Sequence, residues 1–497
     1  MRAVSDATVE RIETGIDGLD TVVHGGLIPG RSYMLTGRPG TGKSLVALHY
    51  LATGAAAGED CLYVNLEETT EDIRANAAAV GIDLDGVDFL DLSPSSDVFA
   101  DDRQYDVFSP DEVEGPDVAR TIADRVERDS PDRVVVDPIT QLRTLSPDDY
   151  QFRKHIASFA QLLAEHDATV VFTSQSTANE PDDDLQFISD GTIELGRAER
   201  GRTLAVPKFR GSAVESGEHS MRITDDGVIV YPKLTPDAHE ATFTEESISS
   251  GVPEIDQILH GGLERGTITI LSGPTGVGKT TLGTQFMKEA AGRGERSVIY
   301  MFEESPATLL SRSKSVNIPA EAMIDRGTLA VEEVEALEKS PAEFASMVRE
   351  EVEQHDTSIV MIDGIDGYRL SLQGEDGDLE RELNSLGRYL KRMGVTVIFV
   401  DSVDAVVGEF QPTNGGVSYL ADNIVFLRYL EMQGELRKAI GVLKMRTSDF
   451  ERSLREFSIT EHGISVGDSL TGLRGILSGS PEFTDEPPRD GSVETRQ

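Results

Sequence analysis

Gly37-Arg38-Pro39-Gly40-Thr41-Gly42-Lys43-Ser44 and Gly273-Pro274-Thr275-Gly276-Val277-Gly278-Lys279-Thr280 are two complete P-loops in one chain. Each stands between a short apolar run that reads as a strand, Arg31–Thr36 or Thr267–Ser272, and a longer segment that reads as a helix. The glycines let successive backbone N–H groups turn inward around an anion, and the helix N-terminus adds its dipole. Lys43 and Lys279 supply a point charge for β- and γ-phosphates, and Ser44 and Thr280 a hydroxyl for Mg²⁺. The expected nucleotide contacts are Gly40, Thr41, Gly42, Lys43, Ser44 and Leu45 in the first loop. In the second they are Thr275, Gly276, Val277, Gly278, Lys279, Thr280 and Thr281.

The two loops belong to an internal repeat. Gly25-Gly26-Leu27 recurs as Gly261-Gly262-Leu263, Glu67-Glu68 as Glu303-Glu304, Lys208-x-Arg210 as Lys444-x-Arg446, and Ile223-Thr224-Asp225 as Ile459-Thr460-Glu461. A common offset at both ends means two copies of one domain. The expected boundaries are 1–235 and 245–482, joined by a polar, proline-bearing stretch, with 483–497 as a disordered acidic tail. In each copy, short β-branched runs such as Cys61–Leu66 and Ser297–Phe302 alternate with amphipathic stretches such as Gln151–His166 and Leu379–Met393. That alternation predicts an α/β fold, a mostly parallel sheet with helices on both faces. A terminal pair of short strands around Lys208 and Lys444 is expected to extend each sheet in antiparallel fashion.

Carboxylates complete the pattern. Asp137 ends the run Val134-Val135-Val136, and Asp363 ends Ile359-Val360-Met361-Ile362. A carboxylate at the C-terminal end of a strand, paired with an upstream P-loop, is suited to hold Mg²⁺ directly or through water. Hydrolysis also needs a carboxylate to orient and deprotonate water, and Glu67-Glu68 and Glu303-Glu304 follow the second strand of their copies. Spacing does not decide which member of each pair is the base; Glu303 is also a candidate metal contact. Lys208, Arg210, Lys444 and Arg446, with Met445 between the last two, lie far along the chain from the P-loop of their own copy. Such a pair serves a neighbouring subunit's γ-phosphate, or else forms ordinary salt bridges.

Composition narrows the function classes. Asp and Glu number 88 against 46 Lys and Arg, a net charge of −42, and only 11 of the 46 are Lys. A surface this acidic repels a phosphate backbone, which argues against nucleic acid as the main partner and suggests a halophile's cytoplasm. The stretches that would line a DNA channel, Ala178–Gln186 and Phe410–Tyr419, hold Glu180, Asp182, Asp183 and Asp184 but no Lys or Arg. That weighs against the alternative of a RecA- or helicase-type DNA-dependent ATPase. Cys61 has no partner for an internal disulfide and stands in an apolar run. No stretch approaches the roughly 18 apolar residues of a membrane span, so a cytoplasmic location is expected.

The order Gly-Gly-Leu, P-loop, Glu-Glu, strand-ending Asp and Lys-x-Arg, present twice, resembles the KaiC family of tandem RecA-like ATPases. Thr14-Gly15-Ile16-Asp17-Gly18-Leu19-Asp20 and Ser250-Gly251-Val252-Pro253-Glu254-Ile255-Asp256 are similar to that family's domain openings. Lys444-Met445-Arg446-Thr447-Ser448, Arg455-Glu456-Phe457 and Ile476-Leu477-Ser478-Gly479-Ser480-Pro481 are similar to its C-terminal signature. The resemblance implies slow ATP hydrolysis with Mg²⁺ at the subunit interfaces of a homo-hexameric ring, acting on an unidentified signalling partner. It further implies nucleotide contacts from Thr224, Asp225 and Lys438, and from Lys208/Arg210 or Lys444/Met445/Arg446 of the next subunit. Val417-Ser418-Tyr419-Leu420-Ala421-Asp422-Asn423-Ile424 resembles the family's phospho-acceptor stretch and makes Ser418 the candidate for serine/threonine autokinase activity. The first copy has Gln186 at that place, and Tyr419 stands where clock members carry a Thr.

Overall fold

A computed structural model describes residues 10–94, 114–144, 148–175, 183–198, 201–234, 246–335, 338–372, 376–403, 413, 417–432, 434–446, 448–471, 473–474 and 482–483. The chain divides into two compact units, Met1–Lys233 and Leu234–Gln497.

The first unit holds nine strands: β1 Ser32–Gly37, β2 Cys61–Asn65, β3 Val87–Asp91, β4 Arg133–Asp137, β5 Thr169–Gln175, β6 Gly191–Ala198, β7 Gly201–Phe209, β8 His219–Thr224 and β9 Gly227–Tyr231. They form one sheet in the order β3-β2-β4-β5-β1-β6-β7-β8-β9. The pairs from β3 to β6 are parallel, and β7, β8 and β9 continue antiparallel. The second unit opens with a two-residue ladder, β10 Ser247–Ile248 with β11 Leu263–Glu264. Its sheet is built from β12 Ile268–Gly273, β13 Arg296–Met301, β14 Leu329–Glu333, β15 Thr357–Asp363, β16 Thr396–Ser402, β17 Asn423–Met432, β18 Glu435–Met445, β19 Arg455–Thr460 and β20 Gly463–Ser469. The order β14-β13-β15-β16-β12-β17-β18-β19-β20 repeats the first topology. These are two tandem RecA-like folds.

Alternation along each central strand feeds two cores, one on each face of the sheet. In β1, Tyr33 and Leu35 join Val46 and Leu51 of the helix Lys43–Ala56, while Met34 faces the other way. That opposite face receives Phe152, Ile156 and Leu163 from the helix Asp149–Glu165, a helical spacing that makes one apolar stripe. Leu271 and Ile299 occupy one face in the second unit, and Ile270, Val298 and Tyr300 the other.

One sequence expectation needs correction, and two strands carried no signal of their own. The antiparallel extension is three strands long in each unit, and β7 and β18 run to 9 and 11 residues, so it is no short terminal pair. The edge strands β3 and β14 give no continuous apolar run, because an edge strand is half solvated. Val87-Asp88-Phe89-Leu90-Asp91 is one such mixture. Of the tail 483–497, only Phe483 is described, paired with Leu473 in a two-residue ladder; the rest lies outside the described residues, as do most of the stretches 178–186 and 410–419.

Candidate active sites

Both P-loops close the C-terminal end of the central strand. An added Cβ at Gly37 or Gly273 would lie 2.2 or 2.3 Å from the carbonyl oxygen of Leu195 or Leu427, so only glycine lets the loop leave the sheet there. Gly42 and Gly278 cap the following helices at φ 106° and 119°, with no side chain bonded to the first-turn amides. Uncapped amides at the start of a 14-residue helix are suited to bind an anion. Lys43 Nζ donates to the Gly37 and Arg38 carbonyls at 2.9 and 3.2 Å, and Lys279 Nζ to those of Gly273 and Pro274 at 2.7 and 3.1 Å. Burial lowers the Lys279 pKa against the pull of Asp363, Glu303 and Asp401. Gly40, Ser44, Thr275 and Gly276 are exposed, and Leu45 and Thr280 are half-buried. Thr41, Val277 and Thr281 are buried, so any nucleotide contact from Thr41 and Val277 is through the backbone.

In the first unit the predicted groups meet around a cavity of about 750 Å³, whose polar lining includes Lys43, Ser44, Glu67, Glu68, Asp137 and Arg202. Its apolar wall comes from Leu45, Leu48, Ile73, Val80 and Ile223. A few convergent polar groups in a pocket of this size fit a small ligand with one apolar and one charged end. Asp137 ends β4 and accepts hydroxyl hydrogen bonds from Tyr63 of β2 and Thr173 of β5. Glu67 accepts from Gln175 at 2.9 Å, and Glu68 from Asn76 at 3.3 Å. Burial raises the Glu68 pKa, helped by the charges of Asp137 and Glu67.

The second unit places the same set together. Asp363 ends β15, and its Oδ1 accepts from Thr280 Oγ1 at 3.2 Å. Burial pushes the Asp363 carboxyl up to about 6, with further upward pressure from Glu304 and Glu303. Glu303 is raised too, chiefly by burial and then by Asp366. Among the described residues, no three His, Cys, Asp or Glu side chains form an all-protein metal cage. A carboxylate beside a hydroxyl, both hard oxygen donors, nevertheless suits Mg²⁺, which takes one or two carboxylates and completes its shell with water and phosphate. A cation would also offset the cost of ionising the buried Asp363.

The basic pairs lie at the other end of the sheet. Lys208 is the β7 partner of Thr192, which pairs with Met34, three residues before the P-loop begins at Gly37. At about 3.3 Å per residue, Lys208 stands roughly 10 Å down the strands from its own P-loop. Its Nζ caps the carbonyls of Gln186 and Ser189, and Lys444 Nζ likewise caps Ser418 and Ala421. Arg210 and Arg446 sit just past the ends of β7 and β18, and Met445 is the last residue of β18. Each Lys-x-Arg therefore does not lie wholly on a strand, although Lys444 and Arg446 converge on one turn, where Arg446 bonds the Tyr419 carbonyl at 3.1 Å. Among the described residues, the Arg210 side chain reaches Asp190 alone, at 3.4 Å, and is 57% exposed. Ser418 is half-buried in a short 3₁₀ turn, Val417–Tyr419, at this same end.

The opposite ends of these antiparallel strands approach the unit's own P-loop. Lys438 Nζ donates to the Gly276 carbonyl at 3.3 Å. Ile223 packs beside Gly42, which brings the turn bearing Thr224 and Asp225 to the loop. Sequence reasoning missed Arg197, which bonds the Gly40 carbonyl at 3.0 Å, and Arg202, its cross-strand partner in the cavity wall. Arg202 was within reach, because it is Lys438 shifted by the repeat offset. Tyr63, Thr173, Asn76 and Gln175 carried no motif signal.

A family model described as the KaiC ATPase matches residues 12–235 and again 248–471. The chain belongs to the KaiC family. It is 30% identical to the circadian clock oscillator protein KaiC of a Picosynechococcus strain, over 95% of this chain and 92% of the relative. It is 28% identical to the KaiC of Acaryochloris marina over 95% and 91%, and 28% identical to the circadian clock protein KaiC3 of a Synechocystis strain over 96% and 95%. It is thus a KaiC-type ATPase with two repeats, and the KaiC family binds ATP, generally with Mg²⁺. No helix among the described residues is long and apolar enough to cross a membrane.

Proposed function

We propose that each domain binds and slowly hydrolyses Mg²⁺-ATP, and that the sites are completed between subunits of a homo-hexameric, cytoplasmic ring that signals to a partner protein. The observation that carries this reading is the meeting of Lys43, Ser44, Glu67, Glu68 and Asp137 around one cavity, with the matching set in the second domain. Lys43 and Lys279 would move from the loop carbonyls to the phosphates, and the uncapped helix amides would hold the phosphate oxygens. Ser44 with Asp137, and Thr280 with Asp363, would hold the metal, which neutralises charge on the β- and γ-phosphates. A carboxylate from each Glu pair orients water in line with the γ-phosphorus and takes its proton. Arg202 and Lys438 act within their own subunit. Lys208/Arg210 and Lys444/Arg446 face a neighbour's nucleotide, because they lie at the far end of the sheet from their own.

Ser418 shares that far end, so its hydroxyl would accept the γ-phosphoryl from an adjacent subunit's second-domain site. The autokinase reading rests on this placement and on the resemblance of its surroundings. Counting bound nucleotide by equilibrium dialysis tests the whole proposal. Two ATP per chain are expected in the wild type, one after Lys43→Ala or Lys279→Ala, and none in the double variant. Two ATP bound in the double variant would refute it.

A further inference from the structure

The two active sites are not chemically equal, and the difference lies eight residues beyond the Glu pairs. Thr69 and Ser305 cap equivalent helices, Thr70–Ala78 and Pro306–Ser315, by accepting from the amides of Asp72 and Thr308. From the same place on each helix project Asn76 in the first domain and Arg312 in the second. Arg312 Nη1 donates a hydrogen bond to Glu304 Oε1 at 2.8 Å and stands 2.8 Å from Oε2 as an ion-pair contact, although Oε2 accepts no hydrogen bond among the described residues. Asn76 offers Glu68 a single neutral bond, 3.3 Å long, to one oxygen. A charge-assisted bond is about twice as strong as a neutral one, so Glu304 is tied to its guanidinium more firmly than Glu68 is to its amide. Glu303 turns elsewhere. Its side chain packs against Gly364, where an added Cβ would lie 2.8 Å from Glu303 Cγ, and Gly364 directly follows Asp363.

We propose that Arg312 holds Glu304 out of the chemistry, so that Glu303 takes the proton in the second domain, while in the first domain Glu67 and Glu68 are met only by neutral amides, those of Gln175 and Asn76, and either can turn to water. The step is ordinary hydrolysis. The water oxygen bonds to the γ-phosphorus, the bond from phosphorus to the β-bridging oxygen breaks with its electron pair going to ADP, and the water proton passes to the carboxylate. Arg312 is a positioning residue, acting through Glu304. The inference rests on the reading of both domains as ATPases.

The test uses the full chain with the first domain silenced by Glu67→Gln and Glu68→Gln, and reads kcat and KM for Mg²⁺-ATP. Glu303→Gln should lower kcat about a hundredfold or more. Adding Arg312→Asn, the residue of the first domain, should restore turnover at least about tenfold with KM within about twofold, because Glu304 is released to act as base. Arg312→Gln should do the same and serves if the Asn variant does not fold. Adding Glu304→Gln to either should abolish the gain. A gain that came merely from losing a structural ion pair would not depend on the Glu304 carboxylate. No restoration, or restoration that survives Glu304→Gln, overturns the proposal. Absence of hydrolysis in the wild-type chain would instead overturn the ATPase reading beneath it.

Discussion

Arg210→Ala is the perturbation that separates a shared active site from a private one. Lys208 is tied to the carbonyls of Gln186 and Ser189 and serves as a cap, so removing it would disturb the turn it holds. Arg210 is 57% exposed and has Asp190 at 3.4 Å, a surface pair worth about 0–1 kcal/mol, so its loss leaves the fold intact. An arginine supplied in trans to a γ-phosphate accelerates hydrolysis about 10³- to 10⁵-fold. First-domain turnover should therefore fall about a thousandfold in Arg210→Ala, read in a background of Glu303→Gln and Glu304→Gln. Mixing these subunits with Glu67→Gln/Glu68→Gln subunits in that background should then regain activity. In a ring with one kind of head-to-tail interface, random mixing at equal amounts gives an intact Glu pair facing an intact Arg210 at about one interface in four. The assay is phosphate release after co-assembly with ATP, and about a quarter of the first-domain rate is expected. Activity no greater than the sum of the separate variants would refute the argument from strand register.

Three further outcomes are expected. Labelled ATP should place phosphate on Ser418, mapped by mass spectrometry, and Ser418→Ala should remove the label; undiminished label would exclude that acceptor. With a net charge of −42, assembly measured by light scattering should rise with KCl toward molar concentration, where screening acts within about 3 Å; a full ring at 0.1 M salt would contradict this. The raised Asp363 pKa, about 6 against 3.8, has two consequences of opposite sign. Without ligand, the folded state binds the proton more tightly than the unfolded state, so the second domain loses stability as pH rises from about 4 through about 6. Binding of Mg²⁺-ATP needs the ionised carboxylate and so weakens as pH falls through about 6, and Asp363→Asn should flatten both profiles.

What the sequence made legible is what repeats. Lys43, Ser44, Glu67, Glu68 and Asp137 were readable because P-loop chemistry demands particular residue types at fixed spacing, and the second copy repeats them. The parallel character of the central sheet was legible in strands buried on both faces, such as Val134-Val135-Val136, which must be apolar throughout, but the order of those strands was not. Edge strands and long antiparallel arms carry mixed surfaces, so β3, β14 and the length of β7 did not declare themselves. Tyr63 and Thr173 meet Asp137 only because β2, β4 and β5 lie side by side, a neighbourhood fixed by strand order rather than spacing. The Arg312–Glu304 pair was hidden for a different reason. Departures between the copies look like drift until geometry shows which of them touch the site.

The central claim, two working ATPase sites built from the same parts, is tested most directly by steady-state phosphate release from four proteins with Mg²⁺-ATP. These are the wild type, Glu67→Gln/Glu68→Gln, Glu303→Gln/Glu304→Gln, and the quadruple variant. Each double variant should lose one domain's share of the turnover, and the quadruple variant should fall to the rate without Mg²⁺. Turnover in the quadruple variant equal to the wild type would contradict the account.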